Sequence, residues 1–138
     1  MTTIDTTGWT KIGTSANADF WLVEPHILAV VPFEGTEDTE ATARQSVTIQ
    51  LEYLRAHGMR AGVIVFMDPV IEQSAGARTM YRDLPDPTFQ ICYALVGSSA
   101  FGRAVGSVFL GLSRPKVPTK MFGSFEDAAA WIRSLGRG

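Results

Sequence analysis

The chain has 138 residues, 46% of them apolar, with 12 basic residues against 14 acidic ones and a net charge of −2. That length suits one domain with a sizeable core, and the apolar fraction excludes a disordered chain. The charge balance leaves no basic face of the kind a phosphate-backbone binder needs, which argues against nucleic acid as a partner.

A single cysteine, Cys92, excludes an internal disulfide and fits a reducing compartment. Residues 1–7 have neither a basic head nor an apolar stretch, so no signal peptide is expected. The strongest apolar runs, residues 27–33 and 62–67, are too short to span a membrane. The expectation is a cytoplasmic protein with one domain over residues 1–138, of which about the first eight form a flexible tail.

Taken in chain order, residues 9–14 read as a first strand and residues 15–19 as a turn. Residues 20–24 and 27–33 are apolar, β-branched runs separated by Pro25-His26, which reads as a hairpin. Gly35 stops the second run. Thr36 then reads as an N-cap, with Glu37, Asp38 and Glu40 beside the positive end of a helix that runs to about Ala56. His57-Gly58 ends that helix.

Residues 61–67 and 89–96 are continuously apolar, the pattern of strands covered on both faces. Between them Asp68-Pro69 breaks the chain, and a second helix is expected from near Ser74 to before Pro85. Further helices are expected over about residues 100–112 and from Ser124 onward, with a short strand over residues 119–122. In the last helix a capping pattern, Ser124-Phe125-Glu126-Asp127, precedes Ala128, Trp131, Ile132 and Leu135 on one stripe. Strands alternating with helices predict an α/β domain with a mixed, mostly parallel central sheet, four helices and an antiparallel hairpin at the front.

The stretch over residues 20–35, followed by an acidic helix start, resembles the opening of SpoIIAA-like proteins, which share the STAS fold of anti-sigma-factor antagonists. The strand Ala94-Leu95-Val96-Gly97 and the ending over residues 121–132 are similar as well. The resemblance spans roughly residues 20–135. It implies a phosphoacceptor serine at a helix start, and Ser74 falls at that position. Gln73 stands where that family has an aspartate, and Ala75 where it has a second serine. The plainer reading of Ser74 is a helix cap, because its hydroxyl accepts a bond from an unpaired N–H.

No metal-spaced histidine pair occurs, so neither a metal nor another cofactor is expected. His57 reads as a helix end and His26 as a hairpin residue. Residues 97–104 keep the outer glycines of a phosphate-binding loop, but Arg103 and Ala104 stand where a lysine and a hydroxyl belong, which leaves weak anion binding or a plain strand–helix turn. Asp68 follows a central strand, where α/β ligand sites gather, or it caps the next turn. Arg78 is its companion in a candidate ligand-site loop. A cryptic enzyme would need Asp68, Ser74, Arg78 and His26 to converge in space.

On a helical wheel Val47, Leu51 and Leu54 form the core stripe of the first long helix, and Ile49 and Tyr53 fall nearly opposite it. The helix over residues 100–112 carries Arg103 and Leu110 on an outer face with little charge. Apolar outer faces predict an interface, most simply in a homodimer. The function expected is therefore a non-enzymatic regulatory or interaction module that binds itself and a protein partner. The alternative is a binder of an apolar small molecule or lipid in a helix–sheet cleft, with Trp21, Phe66, Tyr81 and Tyr93 as lining residues.

Overall fold

The computed structural model describes residues 4–99 and 116–136. Its elements are β1 (Thr10–Thr14), β2 (Ala18–Glu24), β3 (Ile27–Pro32), β4 (Thr36–Asp38), α1 (Glu40–Ala56), β5 (Ala61–Phe66), β6 (Val70–Gln73), α2 (Ala75–Asp83), β7 (Gln90–Val96), β8 (Thr119–Phe122) and α3 (Phe125–Gly136). The main sheet has the order β1-β2-β3-β5-β7-β8. Its first two pairings are antiparallel and the rest are parallel. The protein is thus α/β with a mixed, mostly parallel sheet, as the alternation of runs predicts. The helix expected over residues 100–112, with Arg103 and Leu110, lies outside the described residues.

The β2–β3 hairpin turns at Pro25-His26, where a proline is followed by His26 at φ 73°. Positive φ strains a residue with a Cβ, and the His26 ring contributes to the turn by bonding the Arg60 carbonyl through Nδ1 at 2.7 Å.

Strand alternation sends Val63 and Leu95 to one face of the sheet and Ile64, Cys92, Ala94 and Val96 to the other. The first face is covered by α1 through Leu54, and the second by α3 through Ala128, Ala129 and Ile132. Because both faces are covered, β5 and β7 need apolar residues at every position. Gly62 is required by that packing. A Cβ there would lie 2.6 Å from Cγ2 of Ile132 and 3.0 Å from Sγ of Cys92, so α3 sits on the bare backbone of β5.

Three expectations are corrected. Thr36 does not cap α1; Thr36–Asp38 is a strand pairing in parallel with Val70–Gln73, and the cap falls on Thr39, whose hydroxyl accepts from the Thr42 N–H. Residues 4–9 are not a free tail: Ile4 and Trp9 pack on the second apolar cluster. Ile49 and Tyr53 do not point away from the sheet. Both are half-buried against the first cluster, and Ile49 Cγ2 reaches within 3.0 Å of the Cβ position of Gly13. The helix is covered more widely than one stripe because β1 and β2 curl beneath its flank. An interface built on that pair loses its basis.

The buried stripe of α1 also contains Ser46 and Gln50, the latter 1% exposed. Gln50 Oε1 accepts from Gln90 Nε2 at 2.8 Å and from the Tyr93 hydroxyl at 3.0 Å, while its Nε2 donates to Ser46 Oγ. A buried amide is tolerated when its hydrogen-bonding groups are paired in this way.

Candidate functional site

Parallel strands end at one edge of the sheet, and the segments leaving them there line a groove of about 800 Å3. Phe66, Asp68 and Pro69 come from the end of β5, Val96, Ser98 and Ser99 from β7, Gly123, Ser124 and Phe125 from β8, and Glu34 from β3. The N-terminal segment closes one side with Ile4, Asp5, Thr7 and Trp9.

The floor is aromatic. Trp9 lies 6.4 Å from Phe66 and 5.3 Å from Phe125, and Phe66 stacks on Phe125 at 14°. The rim carries Asp5, Glu34, Asp68 and Glu126, and no lysine or arginine among the described lining residues. The positive end of α3 faces the groove through Ser124, whose hydroxyl accepts from the Asp127 N–H. Glu126 and Asp127 in the first turn of α3 already balance that end.

Asp68 is the most heavily bonded acid of the site. Oδ2 accepts from the Ser98 N–H at 3.0 Å and the Ser98 hydroxyl at 2.5 Å. Oδ1 accepts from the Ser99 N–H at 2.9 Å and the Ser99 hydroxyl at 2.7 Å. Partial burial pushes this carboxyl up, but the four donors outweigh it and hold it at about 2, below its ordinary 3.8. The backbone donors expected of an anion loop at residues 98–99 are therefore directed at the protein's own carboxylate. Asp68 is ionised throughout the neutral range, and with its lone pairs engaged it makes a poor proton acceptor.

Ser74 caps α2, its hydroxyl accepting from the Ala77 N–H at 3.1 Å. Arg78 donates to the Gln73 carbonyl at 3.0 Å. Neither residue lines the groove that Asp68 lines. His26 and Asp68 are also far apart, since His26 bonds Arg60 before β5 begins and Asp68 follows its end, a span of roughly 20 Å of strand. His26 and Asp68 therefore do not reach one another. His57 ends α1 and donates from Nδ1 to the Tyr53 carbonyl, 2.9 Å away, with its ring stacked on Tyr53 at 4.1 Å. Burial pushes the Cys92 thiol up to about 12, against a weaker opposing backbone bond from Val63. An un-ionised thiol is a poor nucleophile.

A second, smaller space lies between the sheet and the α1–α2 pair, with a volume of about 40 Å3. Tyr81 and Tyr93 line it, as the helix–sheet cleft reading expects, together with Asn17, Asp38, Ser46 and Gln73. Phe66 instead floors the groove, and Trp21 lies on the opposite face of the sheet 6.5 Å from Trp9. A chamber of that volume is far below the several hundred Å3 that a drug-sized or lipid ligand needs. Asp38 was legible only as an acid near a helix start. It is in fact 6% exposed, and nothing in the local sequence marks its partner Tyr81, 43 residues away.

Among the described residues no helix is long and apolar enough to cross a membrane, and no group of histidine, cysteine and acidic side chains is placed to hold a metal ion. The class defined so far is an α/β domain with an open site at the carboxyl edge of a mostly parallel sheet. The chain belongs to the family described as domain of unknown function (DUF7793), which matches residues 20–135. No curated protein and no solved structure matches it.

Proposed function

We propose that this protein is a non-enzymatic binding module that takes a small organic cation with an apolar body in the groove at the carboxyl edge of its sheet. One observation carries the reading: an aromatic floor of Trp9, Phe66 and Phe125 under a rim of carboxylates, in about 800 Å3 of space. That volume falls within the range of small-molecule sites, and strand carboxyl ends are where α/β domains bind ligands. Aromatic faces attract cations, and the rim charge has the same preference.

The SpoIIAA-like, STAS-type resemblance supports a regulatory role for such a module, since the hairpin followed by parallel strands is the order that resemblance implies. The single buried cysteine supports a reducing, cytoplasmic setting. Phe33, Ile71 and Leu135 are the large apolar side chains most exposed among the described residues, and single exposed apolar residues are ordinary.

The test is calorimetric titration with benzylamine, cationic at neutral pH, and with benzoate of the same size. Benzylamine is expected to bind, and Trp9→Ala to weaken it about tenfold, the scale of one cation–aromatic contact. Glu34→Gln with Glu126→Gln is expected to weaken it without unfolding the domain. Equal binding of benzoate, or no response to either set of variants, overturns the reading.

A further inference from the structure

We propose that the small chamber between the sheet and the α1–α2 pair is a second binding site, for the ammonium head of a small primary amine. Asp38 supplies the charge. It is 6% exposed, and none of the ion pairs among the described residues involves it. Oδ1 accepts from the Thr42 hydroxyl at 2.6 Å, and Oδ2 from the Tyr81 hydroxyl at 2.7 Å and Gln73 Nε2 at 3.4 Å. These neutral donors solvate the carboxylate without cancelling its charge, and a buried charge left uncancelled is costly.

A second, independent observation points into the same space. Gln73 Oε1 is buried and has no hydrogen-bond partner in the protein. Gln73 and Asp38 both line the chamber, beside Ser46 and Asn17, which are 4% and 7% exposed. A buried acceptor without a donor is also unfavourable, on top of the larger cost of a buried charge without a counter-charge. Water answers only the first need. An ammonium group, with three N–H donors and a full positive charge, answers both.

Size limits the rest of the ligand. One water occupies about 10–15 Å3 of this kind of volume, so a chamber of about 40 Å3 holds the head and one or two carbons. Val30, Val65 and Leu95 supply an apolar wall for those carbons. The chamber and the groove share no lining residue, so this site stands or falls apart from the proposed function.

Thermal melting in ethylammonium chloride, against sodium chloride of equal strength, tests the site. A saturable rise in Tm with ethylammonium is expected, none with tetramethylammonium, which has no N–H to donate, and the same rise in Trp9→Ala as in the native chain. Asp38→Asn, similar in shape, is expected to abolish the rise. Should that variant fail to fold, Gln73→Met removes the unpartnered acceptor together with the long Nε2 contact to Asp38, and is expected to weaken binding about tenfold. A response that sodium or tetramethylammonium reproduces, no saturable response, or an undiminished one in Gln73→Met overturns the proposal, as does a crystal structure grown in ethylammonium that shows water alone in the chamber.

Discussion

Asp38 and Asp68 follow neighbouring parallel strands, β3 and β5, toward the same edge of the sheet, yet their surroundings differ in kind. Asp68 faces an open groove and is satisfied by four donors from one short segment, Ser98-Ser99, so its charge serves to fasten the chain leaving β7. Asp38 is enclosed under two helices and draws its donors from α1, β6 and α2 at once. The contrast teaches that identical carboxylates are specified by how many separate elements must meet around them. One anchors a loop and the other joins three elements.

Asp38→Ala gives the largest effect expected. It removes the carboxylate on which the Tyr81 and Thr42 hydroxyls and the Gln73 amide converge, and is expected to cost about 3 kcal/mol in urea unfolding. A loss below that of Asp68→Ala would break the comparison. Asp68→Ala removes an acceptor from a half-exposed loop, where water replaces part of what is lost. About 1 kcal/mol is expected, with amide exchange at Ser98 and Ser99 rising more than elsewhere.

The smallest effect is a pH dependence. The folded carboxyl of Asp68 is depressed to about 2 from 3.8, so its contribution is present above pH 3.8 and is lost as the pH falls through about 2. Discounted for solvent screening, the change is about 1 kcal/mol or less. It is expected to vanish in Asp68→Asn, so that a wild-type step surviving in that variant would assign it to another carboxyl. Acid unfolding curves of the two chains measure this.

Several elements could be read without coordinates. The continuous apolar runs that became β5 and β7, the Pro25-His26 hairpin, the Ser74 cap and the stripe of α3, apart from the exposed Leu135, all express rules acting over a few residues. The pairing of β4 with β6 could not be read that way. Thr-Glu-Asp and Val-Ile-Glu-Gln are too short to show a period, and they are strands only because each follows a neighbouring parallel strand of the main sheet. Asp68 stood out because it follows a central strand, whereas Ser98 and Ser99, some 30 residues on, became its partners through the β5–β7 pairing. The apparent outer position of Ile49 and Tyr53 failed because a helical wheel assumes one covered stripe, and here β1 and β2 cover a flank as well.

The amino-acid sequence alone therefore determined the class of fold, the order of the main-sheet strands with the helices α1, α2 and α3, and which strands are buried twice, because local periodicity and caps act between near neighbours. Tertiary structure alone decided what those elements enclose. A groove and a chamber arise where side chains distant in sequence meet, and no short-range pattern encodes that meeting. Around Asp38 strands of both sheets and two helices supply the walls, and none of them signals its role until all are in place.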